Sequence, residues 1–394
     1  MSRVRLLALL LVLITVVLLS PALSPACPFC SGQGQTLTKE VTTASFVVYG
    51  TVSNARLSSN PDDFGGGTTD LTVESIIKPH DYLKAKKQLV LNRYIPSAGK
   101  EVKFLVFCEI FRDKVDAYRG IPSQDKDLGE YLKGAVELEN KEQPKRLAFF
   151  FNWLDHADAE IGTDAYKEFA NADYKDVIAM IEAGKPEQFR AKLVQWLRDP
   201  NTASYRYGLY GYLLGHVGKP EDVELYTELL NPKRALVSGL DGILSGYITL
   251  KPVEAWKFTR EILGDSSADF LRRHSALRAV RFFWEYRQDV IKPKELAAAT
   301  ALLLEQGDIA DLAIEDLRKW KQWDYMDQIL GLFNRATHST PIVQRAIIRF
   351  ALSCENQNAK AKAFVEAQRK LDPERLKDIE ELLKLDMPPA SGGS

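Results

Sequence analysis

The chain has 394 residues, 45% hydrophobic and 27% charged, enough for two or three domains with ample core. A formal net charge of -1 argues against broad attraction to nucleic acid or anionic lipid; the cluster Lys84, Lys86 and Lys87 is short and reads as a solvated hairpin edge. Four cysteines, Cys27, Cys30, Cys108 and Cys354, are too few for a disulfide scaffold, so the core must be hydrophobic.

The N-terminus reads as an address. Arg3 and Arg5 form a basic region, Leu6 to Leu19 an apolar run, and Ser24-Pro25-Ala26 offers small residues to a signal peptidase, with cleavage after Ala26. The run falls short of the roughly 18–20 residues that span a bilayer, and no later stretch is a candidate span. The expectation is a signal peptide over residues 1–26 and a mature chain, beginning at Cys27, without a membrane span. It would be exported to a periplasmic or extracellular space where disulfides persist. Retention as a signal or lipid anchor is the alternative, although a lipobox would need an apolar residue where Ser24 stands.

Cys27-Pro28-Phe29-Cys30 follows. A redox dithiol of the thioredoxin kind needs a strand before it and a helix start beneath it. Here no strand precedes the motif, and SGQGQT is a poor helix opening. A c-type haem would need His where Ser31 stands, and zinc would need a second Cys-x-x-Cys. A disulfide is favoured: Cys30–Cys108 or Cys27–Cys108 would pin the terminus onto a strand, with Cys27–Cys30 as competitor. Closing a loop of roughly 80 residues stabilises by about 4 kcal/mol on the chain-entropy account. Cys354 shares an apolar face with Ile347 and Phe350 and reads as a buried free thiol.

Residues 27–125 are strand-patterned: Ser45–Val52 with Gly50 at a bulge, Thr69–Ile77, Gln88–Asn92, Val102–Phe111 and Lys114–Tyr118. The joints are rich in turn formers, NPDDFGGGT above all. Five short strands predict a small barrel or sandwich. A cysteine at the mature terminus, a second close behind, ASFVVYGTV (Ala44–Val52) and a strand bearing Cys108 resemble a netrin-type module. That is the OB-like barrel of tissue inhibitors of metalloproteinases, although the family begins Cys-x-Cys and usually carries more cysteines. The resemblance implies a binder whose free α-amine and carbonyl at Cys27 chelate a protease metal.

From Asp127 to about Leu385 the periodicity is helical, in segments such as Glu187–Arg198, Tyr205–Gly215, Glu221–Leu230, Pro252–Leu263, Arg273–Tyr286 and Pro341–Cys354. Residues 387–394 read as a flexible tail. The cluster LDHADAEIGTD holds Asp155, His156, Asp158, Glu160 and Asp164, which could bind a divalent cation or serve as acid and base. The plainer reading is a turn between helices, with acids at a helix start where the dipole favours them. The five histidines are scattered, and no HExxH, GxSxG, P-loop or Rossmann pattern occurs. No cofactor is expected.

Gly208–Gly215, GLYGYLLG, and Gly239–Gly246, GLDGILSG, share Gly-Leu-x-Gly-x-Leu-x-Gly at an offset of 31 residues. Their glycines fall on one helix face, each costing about 1 kcal/mol relative to Ala; a close neighbouring helix would offset that. NTASYRYGLYGYLLGHVGKPEDVELYTELL (Asn201–Leu230) resembles a short HEAT-type repeat. PIVQRAIIRFAL (Pro341–Leu352) resembles the first helix of another, with Arg345 at the family's arginine position, and RHSALRAVRF (Arg273–Phe282) is a third copy. The resemblance implies a helical array over residues 126–386 that serves as a binding scaffold. The aromatics of YRYGLYGY and RFFWEY read mostly as core, with a share left for a partner surface.

The fold class expected is therefore α+β in two segregated parts: a small OB-like β-barrel or sandwich, then an all-α HEAT-like array. The function expected is non-catalytic binding of an extracytoplasmic protein or ligand. The enzyme alternative is a thiol-disulfide or metal-assisted activity centred on Cys27 and Cys30 or on Asp155–Asp164.

Overall fold

The computed structural model describes residues 29, 34–59, 66–84, 86–96, 102–112, 114–123, 127–231 and 238–386. The expected signal peptide, the Ala26–Cys27 cleavage site, Cys27, Cys30 and the tail over 387–394 lie outside the described residues. The chain divides into two compact units, one ending at Lys185 and one beginning at Pro186. Among the described residues no helix is long and apolar enough to cross a membrane.

Among the described residues of the first unit a short helix comes first, α1 (Leu37–Thr43). Five strands follow: β1 (Phe46–Leu57), β2 (Gly67–Lys78), β3 (Gln88–Leu91), β4 (Val102–Phe111) and β5 (Lys114–Pro122). They form one sheet in the order β3-β2-β1-β4-β5, every neighbour antiparallel. The outer strands β3 and β5 also touch, so the sheet curls toward closure. Phe46, Val48 and Val52 of β1 share a core with Leu71, Leu89, Leu91, Val106 and Cys108, the period-2 face expected of a half-buried strand. Gly50 falls where the β1–β2 register shifts. A Cβ there would lie 2.0 Å from the Thr72 carbonyl oxygen, so only glycine lets β2 pass this close.

Among the described residues four helices follow the sheet: α2 (Asp127–Glu137), α3 (Gln143–Phe151), α4 (Ala159–Ala170) and α5 (Tyr174–Ala183). Strand patterning stops near residue 125, but the unit runs on to Lys185, because α2 packs on β2 with Gly129 facing Ile77. The small α1 is held at both ends. Lys78 Nζ donates to the Thr42 and Ala44 carbonyl oxygens at 2.6 Å each, placing a cation where the last carbonyls are unsatisfied.

Among the described residues the regular elements of the second unit are all helices: α6 (Pro186–Arg198), α7 (Tyr207–Val217), α8 (Val223–Leu229), α9 (Leu240–Leu250), α10 (Pro252–Gly264), α11 (Phe270–Tyr286), α12 (Pro293–Thr300), α13 (Ala310–Lys319), α14 (Met326–Leu332), α15 (Pro341–Leu352), α16 (Ala359–Leu371) and α17 (Pro373–Leu385). Proline opens α6, α10, α12, α15 and α17, at the position where its missing N–H costs nothing. The two glycine-rich repeats are α7 and α9, and they pack on each other. A Cβ on Gly242 would sit 2.1 Å from the Gly208 oxygen, and one on Gly246 would sit 2.0 Å from the Gly211 oxygen. The helix-propensity cost of these glycines is thus exchanged for backbone-to-backbone contact between the two copies. Tyr226 donates its hydroxyl to the Gly211 oxygen at 2.6 Å, closing the crossing from the side.

Arginine–acid pairs tie a helix to the next but one, or to the turn that leads into it. Arg190 meets Asp222 at 2.6 Å, Arg278 meets Asp241 at 2.8 Å, Arg273 meets Asp308 at 2.6 Å and Arg281 meets Asp316 at 2.7 Å. Three of them, Arg190–Asp222, Arg273–Asp308 and Arg281–Asp316, join residues 32, 35 and 35 positions apart. That is the length of one helical hairpin in a repeat array.

Candidate functional site

The two described thiols are both interior. Cys108 lies on β4 opposite Phe46 and is fully buried. Burial, with smaller contributions from Asp116 and Glu109, pushes its thiol up to about 12. Cys354 follows the end of α15, buried, and desolvation pushes it up to about 11. Both are free among the described residues. The thiolate is the nucleophile and the metal ligand, so neither sulfur is set up for either role at neutral pH. Phe29, between the two cysteines that lie outside the described residues, is itself only 3% exposed.

The acidic cluster is divided between two structural jobs. Asp158 caps α4, accepting from Glu160 N at 2.8 Å. His156 accepts from Asp158 N at 3.1 Å through Nδ1 and lies 3.5 Å from Asp127, while Asp155 is exposed beside it. Asp164 turns away into the protein. Its carboxylate accepts from Leu37 N, from Thr38 Oγ1 at 3.1 Å and from Tyr131 OH at 2.9 Å. It therefore caps the N-terminus of α1 from a different helix, where the backbone N–H groups are unsatisfied. Burial raises its pKa, and those hydrogen bonds pull in the opposite direction. One turn on, Glu168 is also buried and raised by desolvation, beside Arg146 at 3.5 Å. Among the described residues no group of three His, Cys, Asp or Glu side chains converges on a point where a metal could sit.

A groove of about 820 Å³ lies in the helical unit, between α15 and α17. Phe333 and Ile379 contribute apolar surface, and Arg345, Arg375, Glu374 and Asp378 contribute charge. Arg335 also lines it but is engaged by Glu305. Arg345 is exposed on α15 and Arg375 half-buried on α17, and neither guanidinium has an ion pair or hydrogen bond among the described residues. The same holds for the Glu374 and Asp378 carboxylates. The wall is firm: Gln344 donates to the Phe333 and His338 carbonyl oxygens at 2.8 and 2.9 Å. Its hydroxyl, Ser339, donates to the Ala336 oxygen at 2.9 Å.

Arg345 had a sequence signal, its place in PIVQRAIIRFAL. Arg375 and Asp378 had none, because they sit at ordinary surface spacing in an amphipathic helix. The flagged aromatics are largely interior: Tyr207, Tyr210, Tyr212, Phe282 and Phe283 are each less than 5% exposed. Trp284 remains half-buried and stacks on Trp320 with ring centroids 4.2 Å apart. Comparison with known proteins found no matching family model, no matching curated protein and no matching solved structure.

Proposed function

We propose that the chain is an exported, non-catalytic binding protein whose helical unit is the scaffold and whose α15–α17 groove is the recognition surface. The observation that carries this reading is the groove's inventory: unpaired charge of both signs over an apolar floor, with no group poised for chemistry. Charges of this kind fix orientation and partner choice. Arginine–acid ties one hairpin length apart support a HEAT-like array, in which each repeat contacts only its neighbours and leaves a continuous surface. Export rests on the N-terminal pattern that ends at Ala26.

The direct test is a pull-down from the exported fraction with the wild-type chain and with the Arg345→Glu, Arg375→Glu double variant. Capture by the wild type and loss by the variant is the expected result. Equal capture by both would move recognition elsewhere in the molecule. Reduction of insulin by the native protein would instead favour the thiol-disulfide alternative at Cys27 and Cys30. Stoichiometric metal in elemental analysis would favour the metal-assisted one.

A second reading has one observation in its favour. The strand order β3-β2-β1-β4-β5, with β3 touching β5, is the connectivity of a five-stranded OB-type barrel. It supports a netrin-like module and hence a metalloprotease-inhibitor-like binder acting through a free Cys27 α-amine. A mass spectrum of the exported chain decides this: a lipidated Cys27, or any other first residue, removes the chelating terminus.

A further inference from the structure

We infer that the α15–α17 groove is a self-association surface, occupied by the same face of a second copy of this chain. The inference rests on the reading of the groove as a recognition surface and adds the identity of the partner.

The first support is apolar exposure on the three helices around the groove. Ile342 on α15, Leu371 on α16, and Leu382 and Leu385 on α17 are 60%, 76%, 42% and 81% exposed. Leu382 lines the groove itself. Arg375, Asp378, Leu382 and Leu385 recur at spacings of three and four, one stripe along α17. The stripe adjoins the inward-facing Leu376, Ile379 and Leu383. Packing is correspondingly thin, since α16 buries only Ala361 and Val365. Among the described residues of this unit nothing lies over that face.

The second support is the charge pattern, and it selects the partner. Among the described residues Arg345 and Arg375 are unpaired, and so are Glu374 and Asp378, although all four line one groove. A uniformly acidic partner would satisfy the arginines and repel the carboxylates; a uniformly basic one would do the reverse. A two-fold related copy satisfies both sets with one operation, because in an isologous contact residue i meets j and j meets i. Arg345 of one chain then meets Asp378 of the other, twice, with the leucine stripe between them. Exposed leucines at the centre and charges at the rim are the usual anatomy of such a contact.

The experiment is sedimentation equilibrium of the purified chain between about 1 and 100 µM, the range in which a contact of modest size assembles. The expected result is a monomer–dimer equilibrium. Leu382→Glu with Leu385→Glu should weaken it at least about tenfold, and Arg345→Glu should weaken it as well. Arg345→Glu combined with Asp378→Arg should restore it, since the swap keeps the cross-chain pair. All four positions are exposed, and circular dichroism melts check that each variant is folded.

A monomer throughout, a dimer indifferent to these substitutions, or a charge swap without rescue overturns the inference. A monomeric chain that still captures a partner through Arg345 and Arg375 overturns self-association alone and leaves the groove as a recognition surface. A dimer that survives loss of both arginines fails this inference at its contact, whatever the pull-down returns.

Discussion

Asp164 of the sheet unit and the tied aspartates of the helical unit solve one problem, how to bury a carboxylate, in opposite ways, although the sheet unit also pairs Glu40 with Arg119 and Glu168 with Arg146. In the sheet unit Asp164 is 3% exposed and its bonded partners are neutral: backbone N–H groups, a threonine hydroxyl and a tyrosine hydroxyl. In the helical unit Asp222, Asp241 and Asp316 are almost as deep, but each faces an arginine whose side chain still reaches solvent. Neutral donors gathered around a charge have no alternative partner when the charge is removed. A half-exposed guanidinium does, because water can replace the acid. The sheet unit should therefore be brittle at Asp164, and the helical unit tolerant at each tie.

The sharpest test is Asp164→Ala. It strands the Leu37 amide, the Thr38 hydroxyl and the Tyr131 hydroxyl, and each buried polar group left unsatisfied costs about 1–3 kcal/mol. Loss of about 4 kcal/mol is expected in urea titration, with α1 and the segment before it released first by hydrogen exchange. A loss under 1 kcal/mol would mean that water reaches the cap and the contrast with the helical unit is false. The helical unit has its own brittle point, which is a crossing and not a charge. Gly246→Ala puts a Cβ 2.0 Å from the Gly211 oxygen and should cost about 3 kcal/mol through overpacking. Gly331→Ala, where nothing lies within 4 Å, is the control and should be neutral or stabilising by up to about 1 kcal/mol.

Those two sites also mark where the sequence is readable. The glycine spacing announces a close helix contact, and its exchange of propensity for approach is local physics. The five strands are legible for the same reason, since alternation and turn formers are properties of neighbouring residues. β5 runs on to Pro122 beyond the expected Tyr118 because pairing with β4, Ile121 against Leu105, extends it. Helix α1 is only partly legible: Thr36 is an ordinary local N-cap, accepting from Lys39 N at 3.0 Å, but Asp164, which takes the Leu37 amide, lies more than a hundred residues away. For the same reason Asp164 is grouped by sequence with the turn-forming Asp155 and Asp158, though it serves a different helix. The arginine ties escape notice too, because a separation of 32 to 35 residues leaves no trace in a helical window. In the groove only Arg345 is marked.

A buried group of the other polarity sharpens the contrast through pH. Burial, with a smaller push from Arg287, lowers His216 on α7 to about 4 from an ordinary value near 6.5. A histidine lowered on folding contributes stability that is fully present above 6.5 and is lost as pH falls from there toward 4. With partial solvent access the loss should be about 2 kcal/mol. Asp164 works in the other direction: a carboxylate raised on folding gains stability as pH falls toward 3.8. His216 should therefore soften the helical unit as pH falls from 6.5 toward 4, against the raised Asp241 and Asp316 of the same unit, which act as Asp164 does. A His216→Gln variant should lose that softening between pH 6.5 and 4 in thermal melts while the sheet unit is unchanged. If the wild-type units soften together, His216 is not the group responsible.

The smallest effect is expected at a single arginine tie. Arg281 is 35% exposed and meets Asp316, 7% exposed, at 2.7 Å. Replacing Arg281 by Gln removes the charge but keeps a donor, and solvent screening of the half-open arginine holds the loss to about 1 kcal/mol at pH 7. Asp316 is already raised by desolvation, and Arg281 is the first influence holding it down. Without the arginine its pKa rises further, so the variant takes up its proton at a higher pH than the wild type does. Once Asp316 is protonated there is no buried charge to compensate, and the cost of the substitution should shrink as pH falls. Chemical denaturation of Arg281→Gln at pH 7 and pH 5 measures this. A penalty that stays constant would mean that Arg281 acts by packing its stem against the neighbouring helix, and the tolerance of the helical unit would then owe nothing to water replacing the acid.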